Sequence, residues 1–231
     1  MKTLILSLFL ILINTSGFSQ NILEALQLKN DLIGEYVEGE LMSTDTIVDL
    51  NNGYYEEYSS DEEGNKTITR QATIFRNHDG SRTLGVSITE YDFVCFYSKT
   101  TFYEIPKLKD SVISVLPADI LPQLSIGDFL VDTTVTSVLN NYLPEIQARY
   151  LDADATIDKV LSEVYHITYL LPQRGTSLIA TLRVCDYIPT NLVSISPEDW
   201  SIIENNFASI KLEYDKKRKA FTRARTKNKR H

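Results

Sequence analysis

Short glycine-containing turns between β-rich segments constrain the first half of this chain more than any other feature. Asn51-Asn52-Gly53 and Asn77-His78-Asp79-Gly80 each separate two segments rich in β-branched and aromatic residues. Asn-Gly and Asp-Gly pairs favour the positive φ of tight hairpins, so consecutive segments are expected to pair antiparallel. The pattern predicts a β-meander of about five strands within an N-terminal lobe, 20–110. The predicted strands are 46–50, 54–58, 66–76, 83–89 and 93–105.

The second half has mixed periodicity and predicts a C-terminal lobe, 111–225, with both helices and strands. Only short helical pieces are expected in 111–143, followed by helices at 144–150 and 155–164. Ser196 before Pro197 predicts the start of another helix, which runs through Asn206. Strand pairs are expected at 165–171 with 177–187, and at 208–214 with 220–225. The chain as a whole is therefore predicted to be α+β: a mostly antiparallel meander followed by a second β-hairpin and helix block.

The N-terminus has the layout of a secretory signal peptide over residues 1–19. Lys2 supplies a positive charge, 4–13 is an apolar run, and Gly17 and Ser19 are small residues at the cleavage positions. The run is shorter than the roughly 18 to 20 residues that span a bilayer. We expect a soluble mature protein, periplasmic or extracellular, with no transmembrane segment after processing.

Two cysteines, Cys95 and Cys185, lie in β-like segments of a chain that is expected to be exported. In an oxidising compartment they could form a disulfide that closes a loop of about 90 residues. The alternative is two separate buried thiols. Neither cysteine has a second Cys or a His at ligand spacing, so no metal site is predicted there.

Charge is distributed unevenly along the chain, whose net charge is −8. Nine basic residues and no acidic residue follow Asp215. The acidic body argues against nucleic acid as a partner, because phosphate binding needs basic surface on the folded domain. The last residues, 226–231, contain no apolar side chain and are expected to form a disordered basic tail.

No catalytic or cofactor motif is present, so the catalytic residues stay unknown and no cofactor is expected. Asp152, Asp154, Thr156, Asp158 and Glu163 match the spacing of a calcium loop, but Ile157 stands where that loop needs glycine. The segment is better explained as an acidic helix start, and no metal is predicted. The other candidate groups are more typical of turns, sheet residues and solvated charge: His78, His166, Glu56, Glu57, Glu62 and Glu63.

Tyrosines of the meander are the best binding candidates. Strand alternation directs some to the core and others to the opposite face, where an outward row would form a platform for a glycan, peptide or protein. The alternative is that they fill the core. The candidate ligand-binding residues are Tyr54, Tyr58, Tyr91, Tyr97 and Tyr103.

At Thr101-Phe102-Tyr103-Glu104 and at Cys185–Asn191 the chain resembles exported bacterial proteins of unknown function. The resemblance implies an exported α+β protein and no particular reaction. We expect an exported, soluble binding or interaction protein rather than an enzyme. Two alternatives stay open: a carboxylate-dependent hydrolase of envelope or extracellular polymers, and an inhibitor or immunity-type protein whose acidic surface suits a basic partner.

Overall fold

Two antiparallel sheets and a set of helices form the protein, which confirms the predicted α+β class. The computed structural model describes residues 22–27, 43–60, 66–92, 95–107, 112–150, 156–184 and 194–224. Within these residues, no helix is both long enough and apolar enough to cross a membrane. The predicted signal peptide, the basic tail 226–231 and Cys185 all fall outside them, so those predictions stay predictions.

The first sheet is a meander in which each strand pairs with the next along the chain. The Asp79-Gly80 turn forms as predicted, with Gly80 at a φ of 85° that side-chain-bearing residues rarely adopt. The meander gains a short sixth strand, which pairs with the fifth and lies beyond residue 110. A short helix, α1 (Ile22–Gln27), precedes the sheet. The strands are β1 (Ser43–Asp49), β2 (Tyr54–Ser60), β3 (Lys66–Arg76), β4 (Arg82–Asp92), β5 (Cys95–Ile105) and β6 (Ile113–Val115).

Both faces of this sheet carry buried side chains, because alternate residues of each strand point to opposite sides. Phe75 and Phe102 lie on the face that packs against the second sheet. Leu84 and Tyr103 lie on the other face, which packs against α1. Gly85 allows the close approach, because a Cβ there would lie 3.1 Å from a ring carbon of Phe102. A sheet covered on both sides explains why the meander contains so many apolar residues.

The second half supplies a four-stranded sheet of order β10-β9-β8-β7 and most of the helices. Helix α2 (Pro117–Ile120) and a 3₁₀ turn (Ile126–Phe129) lead into it. The remaining elements are α3 (Thr134–Tyr150), α4 (Ile157–Val164), β7 (Tyr165–Leu170), β8 (Ser177–Val184), α5 (Pro197–Asn205), β9 (Ile210–Asp215) and β10 (Ala220–Arg223).

Helix α3 corrects the sequence prediction. The sequence predicts a helix that begins at Pro144, but the helix starts ten residues earlier and Pro144 lies inside it. Proline removes one backbone hydrogen bond from a helix interior. Here the helix buries Val135, Leu139 and Ile146, which recur on one face and pack against α4 and α5. Tertiary packing therefore outweighs the local signal.

The helix start that the sequence predicts at Ser196 is confirmed. Ser196 Oγ accepts a hydrogen bond from the Asp199 backbone N–H at 3.1 Å, and Pro197 is the first helical residue of α5. Thr156 caps α4 in the same way, and Asp158 lies in the first turn. The acidic stretch is thus a helix start from Thr156 onward, while Asp152 and Asp154 lie outside the described residues.

Aromatic rings join the two sheets in one shared core. The centroid of Phe75 lies 4.9 Å from that of Tyr214 and 5.1 Å from that of Phe221. Phe102 lies 5.9 Å from Phe221. Burial of one such side chain contributes about 1.5–3 kcal/mol, so this core makes a large contribution to holding the sheets together.

A buried polar network, which we call the polar clasp, joins the sheets at one end. It consists of Asn77, Ser81, Thr83 and Tyr214. The Tyr214 hydroxyl donates to Asn77 Oδ1 at 2.7 Å and lies 2.7 Å from Thr83 Oγ1. The Asn77 amide donates to Ser81 Oγ at 2.9 Å and to Thr83 Oγ1 at 3.2 Å. Because these groups satisfy one another, the network stabilises the contact without leaving buried donors unpaired.

An ion-pair cluster lies beside the polar clasp. Lys219 Nζ is 2.8 Å from an Asp79 carboxylate oxygen and also pairs with Glu104. The backbone N–H of His78 donates to the Lys216 carbonyl at 3.0 Å. The β3–β4 turn is therefore fixed against the β9–β10 turn by main-chain and side-chain contacts together.

Candidate functional site

Each of three cavities of the described structure is lined by at least one of the first three residues of β7. Tyr165, His166 and Ile167 begin the outer strand of the four-stranded sheet. One cavity, of about 380 Å³, lies against β4 and β5. A second cavity, of about 390 Å³, lies against β8 and the α5–β9 connection. A third, of about 430 Å³, lies against α4. Concave sites at the border between packed layers are where small ligands and peptides usually bind.

The cavity against the first sheet, which we call the β5–β7 cleft, lies along a strand edge. Consecutive β5 residues, Tyr97, Ser98 and Lys99, all line it. Neighbouring residues of a strand point to opposite faces, so a cleft that contacts all three follows the edge of the strand. The remaining lining residues are Ile88, Glu90, His166 and Ile167.

Strand pairing explains why this edge is open. The short strand β6 pairs with β5 only at Phe102, Tyr103 and Glu104. Among the described residues, 95–101 have no further strand partner on that side. β7 is itself an outer strand, so the cleft lies between two strand edges. Unpaired edges carry free N–H and C=O groups that can pair with another extended chain.

Side chains of the β5–β7 cleft combine apolar and charged groups. Tyr97 is 63% exposed, although large aromatic residues are usually buried. The β4–β5 register places Glu90 opposite Tyr97 and Ile88 opposite Lys99, so opposite charges lie on neighbouring positions of the same face. His166 is exposed on β7. The arrangement can hold an apolar side chain while charged groups contact polar parts of a ligand.

The predicted tyrosine row is split by the register of the sheet. Tyr54, Tyr58 and Tyr91 share one face, whereas Tyr97 and Tyr103 lie on the other. Tyr54 and Tyr103 are buried, Tyr91 is half-buried and Tyr58 is 41% exposed. Of the five, Tyr97 is the one that lines the β5–β7 cleft. The five tyrosines therefore do not form a single platform.

Tyr54 has a structural hydrogen-bonding role. Its hydroxyl donates to Glu56 Oε2 at 2.7 Å and accepts from Gln71 Nε2 at 3.2 Å. Burial, with the hydrogen bond to Glu56, raises the pKa of Tyr54 and keeps the hydroxyl protonated. A Gln71 side-chain oxygen accepts from the Leu171 backbone N–H at 3.4 Å, which connects this group to the second sheet.

Of the neighbouring carboxylates named in the sequence, the described pair, Glu56 and Glu57, does not converge. Glu56 and Glu57 are neighbours on β2 and point to opposite faces. Glu57 accepts hydrogen bonds from Arg70 and Tyr55, both at 3.2 Å. A glycosidase needs two carboxyl groups facing one bond, and these two serve separate contacts. Glu62 and Glu63 lie outside the described residues.

Histidine and cysteine positions complete the set of predicted site residues. His78 is exposed in the β3–β4 turn, while His166 is brought to the cleft. The backbone of Cys95 begins β5, but Cys185 is not described, so the predicted disulfide stays a prediction. Among the described residues, no three His, Cys, Asp or Glu side chains are grouped as metal ligands would be.

Comparisons with known proteins give little further information. No protein-family model matches the chain, and no curated protein matches it. A solved structure of a domain of an uncharacterized protein from Porphyromonas gingivalis W83 is similar over 89% of this chain and 99% of that chain. Its TM-score is 0.46 and its sequence identity is 13%. A likeness this distant carries no argument about what the chain does.

Proposed function

We propose that this chain is an exported binding protein that takes an extended polypeptide segment in the β5–β7 cleft. The observation that carries the proposal is the open edge of β5, where the largely exposed Tyr97 lines a cleft of about 380 Å³. Peptides that add to a strand edge gain affinity from main-chain hydrogen bonds and specificity from alternate side chains.

The chemistry of the lining favours a peptide over a glycan. Ile88 and Ile167 offer an apolar surface for a side chain, and backbone groups of β5 offer hydrogen bonds along its edge. Lys99 and Glu90 provide opposite charges that can select the polar positions of the ligand. A sugar would use the ring of Tyr97 but would leave the strand edge unpaired.

Peptide selection tests the proposal without a known ligand. A random peptide library displayed on phage is panned on the mature chain, and the recovered peptides are titrated by calorimetry. We expect the Tyr97→Ala variant to bind them at least about tenfold more weakly, since an aromatic anchor at a binding surface often contributes about 1.4 kcal/mol or more. Tyr58→Ala, which removes an exposed tyrosine of the opposite face, is the matched control and should bind normally.

Two results would contradict the proposal. Selected peptides that bind Tyr97→Ala as tightly as the parent chain would place the site elsewhere. Binding of chitohexaose or cellohexaose at the cleft, with no peptide recovered, would make the protein a glycan-binding protein instead.

A further inference from the structure

Strand β1 is an outer strand that is exposed on both faces. Ile47 is 49% exposed and Val48 is 43% exposed, and as neighbours on a strand they point to opposite sides. Asp45 and Thr46 are exposed as well. The inner strands of the same sheet bury side chains on both faces, whereas 45–48 meet solvent on either side.

The backbone of β1 also offers an unpaired edge. Among the described residues, β1 pairs with β2 alone, and the pairing runs without a bulge from Ser43 to Asp49. Proteins usually protect an outer strand with proline, lysine, a bulge or a short length. The outer strands β6 and β10 have three and four residues, but β1 has seven and contains neither proline nor lysine. Its edge can therefore pair with a further strand.

The carboxylates of β1 restrict how a further strand can pair. Asp45 and Asp49 are its charged residues, and like charges directly opposite each other in an antiparallel pair are destabilising. A second copy of β1 has three symmetric registers that join five or more residues, centred on Asp45, on Thr46 or on Ile47. The first places Asp45 opposite itself, and the third places Asp45 opposite Asp49. The register centred on Thr46 opposes no two carboxylates.

This remaining register uses the whole strand and joins all seven residues of β1. Thr46 lies opposite Thr46 of the second copy, and cross-strand threonine pairs are favourable. Val48 lies opposite Thr44, and the two copies of Ile47 are diagonal neighbours about 7–8 Å apart, within reach of long side chains. The strand is therefore self-complementary, which favours a second copy over an unrelated strand as its partner.

We propose that β1 pairs antiparallel with β1 of a second copy of this chain, so that the two six-stranded sheets join into one. The two-fold axis passes through the Thr46 pair, so the contact is used once by each copy and the assembly closes as a dimer. Three strands separate β1 from β5. The dimer leaves the β5–β7 cleft open and does not rest on the function proposed for that cleft.

Analytical ultracentrifugation of the mature chain measures the assembly. We expect a monomer–dimer equilibrium with a dissociation constant on the order of 10–100 μM, because one strand pair is smaller than the standard interface of about 800 Å² per partner. Thr46→Glu places two carboxylates opposite each other and should weaken the dimer by about fivefold or more. Thr46→Gln has the same size without the charge and should dimerise normally. Far-UV circular dichroism checks that both variants are folded.

Cysteine cross-linking tests the register independently of charge. Opposite residues of an antiparallel pair have Cα atoms about 4.5–5.5 Å apart, a distance that a disulfide spans. Thr46→Cys should therefore give a covalent dimer on a non-reducing gel after mild oxidation. Val48→Cys lies on the same face of the strand, but its two copies would be about 13 Å apart and should not join. Both variants keep Cys95 and Cys185, so cross-links through those residues appear equally in both.

Several results would overturn the dimer. A chain that stays monomeric well above the expected dissociation constant would reject it. Equal dimerisation of Thr46→Glu and Thr46→Gln, or equal cross-linking of Thr46→Cys and Val48→Cys, would place the contact elsewhere. A monomer in which the selected peptides protect amides of β1 would make this edge a peptide site instead. These readouts do not involve Tyr97, so failure of the peptide proposal and failure of the dimer are distinguishable.

Discussion

The same two sheets meet very differently at the polar clasp and at the β5–β7 cleft. At the clasp, hydroxyl and amide groups of Asn77, Thr83 and Tyr214 pair with one another across the interface. At the cleft, the outer edges of β5 and β7 leave a space of about 380 Å³ and an exposed Tyr97. The comparison suggests that one contact specifies how the sheets pack, while the other leaves surface available for a ligand.

The largest effect is expected from the aromatic core that lies between these two regions. Phe102→Ala should destabilise the protein by about 3–5 kcal/mol, because it removes a fully buried ring that both sheets share. Urea unfolding measures the change. Tyr97→Ala is the contrasting substitution and should change stability by less than about 0.5 kcal/mol, as exposed positions usually do. Similar losses at the two positions would break the distinction between packed core and available surface.

A smaller loss is expected at the polar clasp. Tyr214→Phe keeps the ring but removes the hydroxyl that contacts Asn77 and Thr83. We expect a cost of about 1–3 kcal/mol, since Asn77 and Thr83 are buried and lose a hydrogen-bond partner. Tyr58→Phe, at an exposed site, is the control for thermal unfolding. A neutral Tyr214→Phe would mean that the clasp contributes nothing to the packing of the sheets.

The smallest effect concerns acid stability beside the clasp. The hydrogen bond from Lys219, with those from Ser81, holds the pKa of Asp79 well below its usual range. A carboxyl whose pKa is lower in the folded state stabilises the protein above its unfolded pKa of about 3.9, and this contribution is lost as the pH falls further. The urea concentration at the midpoint of unfolding should therefore fall as the pH is lowered below 4. The fall should be less steep in Lys219→Met, which lacks the hydrogen bond from Lys219 to Asp79. Identical pH profiles for the two proteins would contradict this.

Local sequence signals predict most of the strands. The sequence predicts β3 at 66–76, and the strand has these bounds, because the turn that ends at Gly80 and the polar segment before Lys66 limit it on both sides. The Ser196 cap predicts the start of α5 for the same reason: one side chain and one backbone N–H decide it. Signals of this kind act within a few residues, so one sequence suffices to find them.

Features that depend on distant residues could not be predicted. Helix α3 continues through Pro144 because Val135 and Leu139 find partners on α4 and α5. Alternation divides the tyrosines between two faces, but which face is covered depends on the packing of a second sheet. The β5–β7 cleft needs Tyr97 beside His166, which are 69 positions apart in the sequence. No local pattern gives this juxtaposition.

Amide hydrogen exchange, measured with and without the tightest selected peptide, tests the central claim most directly. The account predicts that peptide adds protection at alternate amides within 97–101 of β5, those whose N–H groups point away from β4, because new main-chain hydrogen bonds form there. Protection at Asn77 and Thr83 should stay unchanged. Added protection at the clasp and none along β5 would contradict the claim that the open edge is where this protein binds.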